Sequence, residues 1–114
     1  MHELSMALSL LDLVEEEAER RGCRVASIHL QLGPLSGVVR EALASAYELA
    51  REGTSMAETE LIVEEVPVVV SCPTCVAERT PISPYELRCP DCGTPTPEVL
   101  RGRELEIIAL EVVS

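Results

Sequence analysis

CPTC at residues 72–75 and CPDCG at residues 89–93 decide how this chain folds, and thirteen residues separate them. Two Cys-x-x-Cys pairs at this spacing predict two tight turns that bring four thiolates to one metal ion. Zinc is expected, because a closed tetrahedral shell of four thiolates is its common structural site. Iron in the same shell and a pair of structural disulfides are the alternatives. Four protein ligands leave no open position for hydrolytic chemistry, so the metal is expected to be structural.

The composition is that of a small, acidic, globular protein. Its 114 residues can form one core, or one core and a metal-stabilised lobe. The net charge is −11, so the chain lacks the basic surface on which nucleic-acid binding depends. No apolar run reaches the ~18 residues of a membrane span, and no signal peptide is recognisable. We therefore expect a cytoplasmic protein that binds neither nucleic acid nor membrane.

Hydrophobic periodicity predicts two helices and three strands. In chain order these are helix Leu4–Arg21, strand Val25–Leu32, helix Gly37–Glu52, strand Glu60–Val70 and strand Leu105–Val113. Gly22 is expected to end the first helix, Ser36 to cap the second, and Pro67 to bend the second strand. The apolar stripe of the first helix is Leu4, Leu8, Leu11, Val14 and Ala18.

These elements predict an α+β fold in which two helices pack on a three-stranded mixed sheet. The strand–helix–strand segment from Val25 to Val66 favours a parallel pair of strands. A zinc-ribbon-like lobe with the four paired cysteines is inserted before the last strand. We expect residues 1–68 and 100–114 to form the α/β domain and residues 69–99 the metal-binding lobe.

Two further potential ligands lie outside the paired cysteines. Cys23 is expected to be an ordinary thiol in the turn between the first helix and the first strand, because no base lies near it in sequence. His29 falls on the polar face of the first strand, and we expect it to be solvated rather than bound to a metal.

The first three residues, Met1-His2-Glu3, form a candidate second metal site. The α-amine of Met1 and the backbone nitrogen of His2 would close a five-membered chelate ring on a metal ion. The same backbone nitrogen and His2 Nδ1 would close a six-membered ring. Fused rings of this kind favour the planar geometry of Ni(II) or Cu(II). Glu3 would add its carboxylate or backbone nitrogen; alternatively, it only interacts favourably with the helix N-terminus. We expect Met1 to be retained, since the initiator methionine is removed mainly ahead of a small residue.

The combination of these motifs resembles the HypA/HybF family of nickel-incorporation proteins. Met1-His2-Glu3-Leu4-Ser5 resembles the opening of that family, and residues 32–38 resemble its strand-to-helix junction. Residues 64–67, leading into the two cysteine pairs, are similar to its zinc lobe. The resemblance spans nearly the whole chain. It implies a nickel metallochaperone, not an enzyme, that assists nickel insertion into [NiFe]-hydrogenase and, in some organisms, urease.

The resemblance also implies site residues and partners. Met1, His2 and Glu3 match the nickel site, where Ni(II) is a transferred cargo. The residues that match the ligands of structural Zn(II) are Cys72, Cys75, Cys89 and Cys92. The implied partners are a HypB-type GTPase and the hydrogenase large subunit, and the protein itself would be a monomer or a homodimer.

Some members of the family carry an additional histidine near the zinc lobe, whereas the histidines of this chain are His2 and His29. Two other functions remain open from the residues alone. One is a zinc-ribbon interaction module with an inert N-terminus. The other is an electron-transfer protein with iron at the four thiolates.

Overall fold

The structure is a computed structural model of the 114-residue chain, and it describes residues 3–113. The elements are α1 (Glu3–Arg21), β1 (Arg24–Leu32), a 3-10 turn (Pro34–Ser36), α2 (Arg40–Arg51), β2 (Glu60–Glu65), β3 (Val69–Cys72), β4 (Ala77–Arg79), β5 (Glu98–Arg101) and β6 (Leu105–Val113). They form two three-stranded sheets, ordered β2-β1-β6 and β4-β3-β5. No helix in residues 3–113 is long and apolar enough to cross a membrane.

The first sheet is mixed, as predicted. β1 pairs in parallel with β2, from Ser27 opposite Glu60 to Leu32 opposite Glu65. β6 pairs antiparallel along the other edge of β1. A parallel pair needs a long crossover connection, which the segment containing α2 provides. Because β6 joins this sheet only after β3, β4 and β5, the predicted α+β fold with an inserted four-cysteine lobe is confirmed.

The core lies between the first sheet and the two helices. The residues that α1 buries are Ala7, Leu11, Val14 and Ala18. The prediction that Leu4 and Leu8 belong to this buried stripe is wrong, since they are 45% and 48% exposed. The helix turns Ala7 toward the core, and this orientation leaves Leu4 and Leu8 at the margin of the buried face.

The second helix begins three residues later than predicted. Gly37 adopts a left-handed conformation with φ of 83°, which ends the 3-10 turn and separates it from α2. Val39 occupies the N-cap position without a side-chain cap. Ser36 does not cap the helix: its Oγ accepts a hydrogen bond from Val38 N at 3.2 Å and stabilises the turn instead.

The predicted strand Glu60–Val70 is divided between the two sheets. β2 lies in the first sheet and β3 in the second, and Pro67, which has no N–H for a strand ladder, lies between them. Close to this crossover, Gly33 packs directly on the returning chain. Gly33 N donates to Glu104 O at 2.8 Å, and Leu35 N donates to Gly102 O at 2.7 Å. These contacts fix where the second sheet joins the first.

Candidate metal centre

Each Cys-x-x-Cys pair forms the same backbone turn. Val76 N donates to Cys72 O at 2.9 Å, and Gly93 N donates to Cys89 O at the same distance. The residue after each pair has a positive φ, 53° for Val76 and 76° for Gly93. Glycine adopts this conformation at no steric cost, as the sequence predicts, whereas a β-branched residue does so rarely. Val76 is the one non-glycine residue with positive φ in the described part of the chain, so the first turn adopts its shape at a local cost in conformational free energy.

The two turns bring four sulfur atoms together. All four Sγ atoms lie within 4.8 Å of one another, with 3.5 Å from Cys72 to Cys92 and 3.9 Å from Cys75 to Cys89. A tetrahedral ion with Zn–S bonds of about 2.3 Å places its sulfurs about 3.8 Å apart, so the donor set fits structural zinc. Disulfide sulfurs would lie about 2.05 Å apart, and all five cysteines are free thiols. The disulfide alternative is therefore wrong.

The four thiols differ in exposure and acidity. Cys72 and Cys89 are buried, Cys75 is half-buried and Cys92 is exposed. Hydrogen bonds with Cys92, Cys72 and Cys89 raise the pKa of Cys75 to about 12. Hydrogen bonding to Thr94 lowers the pKa of Cys92 to about 6. Burial opposes ionisation of Cys89, but backbone hydrogen bonds from the second turn outweigh it and lower its pKa. A bound cation favours the thiolate form of its ligands, whatever their metal-free acidity.

Hydrogen bonds also tie the two turns to each other. Cys75 N donates to Cys72 Sγ at 3.3 Å within the first turn. Thr94 Oγ1 lies 3.1 Å from Cys92 Sγ and donates to Thr74 Oγ1 at 3.0 Å. Partners of this kind hold metal ligands in a fixed orientation. Thr94 therefore links the exposed sulfur of the second turn to a side chain of the first.

Of the three predicted nickel residues, the structure places only Glu3. Met1 and His2 lie outside the described residues. Glu3 is the first residue of α1 and is half-buried. Within residues 3–113 the four cysteines are the only group of three or more potential ligands close enough to hold a metal ion.

His29 lies on the open face of the first sheet, but it is not simply solvated as predicted. Its Nε2 lies 2.7 Å from Glu111 Oε1 and 3.3 Å from Ser27 Oγ. Ser27 Oγ also donates to the same Glu111 oxygen at 2.7 Å. Both neighbours meet a single imidazole nitrogen, so the three residues do not form a serine–histidine–carboxylate relay. The contact with His29, and secondly that with Ser27, lowers the pKa of Glu111.

Cys23 occupies the predicted turn between α1 and β1 and is half-buried. The turn is a Schellman motif: Gly22 N donates to Glu19 O at 3.2 Å, and Cys23 N donates to Ala18 O at 3.1 Å. Gly22, with φ of 65°, supplies the left-handed residue that this motif needs. Cys23 is accounted for by this turn.

The side-chain contacts that the sequence did not predict all join residues distant in the chain. They are the contacts of Glu111 with His29, of Thr94 with Thr74 and of Arg79 with Asp91. Glu111 and His29 are 82 positions apart, and only the pairing of β1 with β6 brings them together.

Comparison with known proteins gives a consistent result. Residues 1–112 match the family model described as "HypA: Hydrogenase/urease nickel incorporation, metallochaperone, hypA". The chain is 47% identical over 112 residues to "Hydrogenase maturation factor HypA" of Chloroflexus aurantiacus, covering 97% of this chain and 98% of that protein. It is 41% identical to the protein of the same name from Streptomyces avermitilis, covering 96% of this chain and 86% of the relative.

Solved structures show the same fold. The chain matches the "Solution structure of the Ni metallochaperone HypA from Helicobacter pylori" with a TM-score of 0.67 and 24% identity, covering 100% of this chain and 99% of the other. A second match, "Solution structure of HypA protein", has a TM-score of 0.71 over 99% of this chain and 97% of the other, at 24% identity. With the family model spanning residues 1–112, this chain belongs to the HypA family of nickel metallochaperones for hydrogenase and urease maturation.

Proposed function

We propose that this protein binds Ni(II) through Met1, His2 and Glu3 and delivers it during [NiFe]-hydrogenase maturation, with urease as a second client. The observation that carries the proposal is that the family match begins at residue 1, on these three residues. Their donors are an amine, an imidazole, backbone nitrogens and a carboxylate. Such a set suits Ni(II) and differs from the four soft thiolates of the cysteine cluster.

The position of Glu3 supports a role for its backbone nitrogen. Glu3 is the first residue of α1, and the first four N–H groups of a helix have no partner within the helix. Its nitrogen is therefore not committed to the helical ladder and is available to complete a planar set of nitrogens. The free α-amine, with an ordinary pKa near 8, and the imidazole must both be deprotonated to bind. Nickel affinity is therefore expected to rise with pH.

The four cysteines are the proposed ligands of a structural zinc ion. When bound, this ion neutralises half of the charge of four thiolates and cross-links the two turns, which stabilises the lobe. We propose that residues 69–99 form this zinc lobe and that residues 1–68 and 100–114 form the nickel-binding α/β domain. Zinc then remains with the protein, whereas nickel is exchanged at the chain end, where a partner's ligands can approach the planar site from either face.

Delivery requires a partner, and the proposed partners are a HypB-type GTPase and the hydrogenase large subunit. The protein acts as a monomer or a homodimer and performs no catalytic step of its own. Free thiols suit a reducing compartment, so we place it in the cytoplasm.

Calorimetric titration of untagged, zinc-loaded protein with Ni(II) tests the nickel assignment. Wild type is expected to bind one nickel ion per chain, and His2→Ala none specifically, while both retain one zinc ion. His29→Ala is the matched control, because it removes the other histidine and should leave nickel binding unchanged. Nickel binding by His2→Ala at wild-type affinity would refute the assignment. No binding by wild type with a free Met1 amine would indicate a zinc-ribbon interaction module instead.

A further inference from the structure

We propose that the open face of the first sheet, which the two helices leave uncovered, is a docking surface for a helix of a partner protein that carries lysine or arginine along both of its flanks. Neither of the metal sites proposed above contributes residues to this face. The surface is defined by the register of β2, β1 and β6 and by the charges that this register brings together.

The strand register places a glutamate at each corner of the open face. Two of these residues belong to β2 and two to β6; they are Glu60, Glu64, Glu106 and Glu111. Ser27 lies between Glu60 and Glu111, and Gln31 lies between Glu64 and Glu106. Neighbouring strands are about 4.8 Å apart and rise about 3.3 Å per residue. The corners are therefore about 10 Å apart across the sheet and about 13 Å apart along it.

Side-chain contacts show that these residues share one face of the sheet. Ser27 Oγ and His29 Nε2 both lie 2.7 Å from Glu111 Oε1. Gln31 Nε2 donates to Glu64 Oε1 at 3.4 Å. Successive residues of a strand point to opposite faces, so this polar set on β1 faces away from the apolar core and its helices.

The negative charge of the open face is not balanced within the described part of the chain. In residues 3–113, no arginine forms an ion pair with any of the four corner glutamates, and the one imidazole among them, His29, contacts only Glu111. Arginines do pair with glutamates elsewhere, at Glu17, Glu48 and Glu65. Four unpaired carboxylates around neutral side chains produce a negative potential that attracts a cationic surface. Charge complementarity therefore favours a basic partner.

The sheet is also covered on one side only. β1 and β2 are parallel, and parallel strands are normally covered on both faces. Ile62, in the middle of β2 and opposite His29, is 41% exposed. This isoleucine lies between two glutamates of the same strand, so a partner that covers the face gains an apolar contact together with the ion pairs.

Charge and geometry select a basic helix over other occupants. A second copy of the chain would bring four more glutamates against these four, and a nucleic acid or an anionic membrane would be repelled as well. Among the described residues, only the four cysteines come close enough together to hold a metal ion, so these carboxylates do not form a metal site. A helix is about 10 Å wide and fits along the strands between the two pairs of glutamates. Cationic side chains two turns apart, about 10 Å along the helix, then reach both corners on each side.

The probe for this surface is an alanine-based helical peptide with lysines in two rows, at positions i and i+7 and at positions i+2 and i+9, on opposite sides of the helix. Fluorescence anisotropy at low ionic strength measures its affinity for the full-length chain. The triple variant Glu60→Gln, Glu64→Gln, Glu106→Gln should bind about tenfold more weakly than wild type, because it removes three exposed ion pairs of modest strength. Glu111 is kept because it also contacts Ser27 and His29.

A second triple variant is the matched control. The substitutions Glu16→Gln, Glu19→Gln and Glu52→Gln change the net charge by the same amount at exposed positions on α1 and directly after α2. Its affinity for the peptide should be within about twofold of wild type, since surface charges beyond a Debye length are largely screened.

Two further measurements test the geometry. A peptide with the same four lysines in a single row should bind wild type more weakly than the two-row peptide, because it cannot reach the glutamates of β2 and β6 together. In NMR spectra, the two-row peptide should shift amide signals of β1, β2 and β6 and leave those of α1 and of β3–β5 unchanged.

Wild-type affinity in the open-face triple variant would overturn the inference. Equal losses in the two triple variants would overturn it as well, because they would indicate a general effect of net charge. Equal affinity for the one-row peptide, or shifts confined to the helices, would also contradict it, as would a dimer of the free protein that the open-face substitutions dissociate. If circular dichroism shows that the open-face triple variant is unfolded, Glu60→Gln with Glu106→Gln decides: weaker binding supports the inference and wild-type binding overturns it.

Discussion

Substitution of Gly33 by alanine should destabilise the protein strongly, because it disrupts a close backbone contact that the local sequence does not predict. A Cβ atom at this position would lie 2.2 Å from both Gly102 C and Gly102 O, whereas ordinary contacts begin at 3.4 Å. The chain segments would have to separate by about 3.4 − 2.2 = 1.2 Å. The clash involves backbone atoms, so no change of rotamer relieves it.

The magnitude follows from what this separation breaks. The hydrogen bonds from Gly33 N to Glu104 O and from Leu35 N to Gly102 O would both be lost, at about 1 kcal/mol each. Overpacking adds about 1–3 kcal/mol. Alanine is compatible with the extended backbone at Gly33 (φ −99°, ψ 152°) and returns about 0.4–1 kcal/mol through the unfolded state. The net loss is therefore about 2–5 kcal/mol, a large share of the ordinary stability of a small domain.

Urea unfolding of zinc-loaded protein, followed by far-UV circular dichroism, measures this loss. Gly37→Ala is the matched control: nothing lies within 4 Å of its Cβ, and only its left-handed φ of 83° is strained. That strain costs about 1–2 kcal/mol. Gly33→Ala should therefore be the more destabilising of the two at an unchanged m-value. If it proved equally or less destabilising than Gly37→Ala, the packing of Gly33 on Gly102 would be wrong.

Three further perturbations test other parts of the structure. Tyr47→Phe should lower the free energy of unfolding in urea by about 1 kcal/mol, because it removes the donor to Thr59 O at 2.7 Å but leaves the bond from Arg51 to the same oxygen. An unchanged free energy of unfolding would contradict the buried hydrogen bond. The contact with His29 lowers the pKa of Glu111 in the folded state, so this carboxylate contributes stability above its unfolded pKa that is lost as pH falls through the lowered value. Glu111→Gln should flatten the dependence of the urea midpoint on acidic pH, and an unaltered profile would argue against the pair. Removal of zinc by a chelator should accelerate amide hydrogen exchange in β3, β4 and β5 while β1 stays protected, and uniform acceleration in both sheets would show that the zinc ion supports the whole molecule.

Much of the fold was predictable because its signals are local. The alternation in β1 and the positions of Gly22 and Gly93 each act within a few residues, and the segment 33–59 is long enough for the crossover between parallel strands. The cysteine spacing predicted the cluster because a Cys-x-x-Cys turn is itself a local structure. Pro67 marked the change from one sheet to the other, although not that the strand is divided there.

The features that could not be predicted from the sequence depend on packing and on contacts between distant residues. The face of α1 that becomes buried is set by what lies opposite, so the apolar character of Leu4 and Leu8 did not determine their burial. The strands β4 and β5 have three and four residues, too few for a periodic pattern. β4 pairs with β3, and its Arg79 forms an ion pair with Asp91 of the second turn; no spacing in the sequence encodes either contact.

The central claim, that the start of the chain holds the nickel ion, is tested most directly by adding one glycine ahead of Met1. The added residue moves the α-amine out of the chelate and leaves every side chain in place. Nickel titration of the zinc-loaded protein, with the terminal amine confirmed by mass spectrometry, should give one planar Ni(II) ion per chain for the protein that starts at Met1. The extended protein should bind none specifically and retain its zinc ion. Equal nickel affinity in the two proteins would contradict the claim.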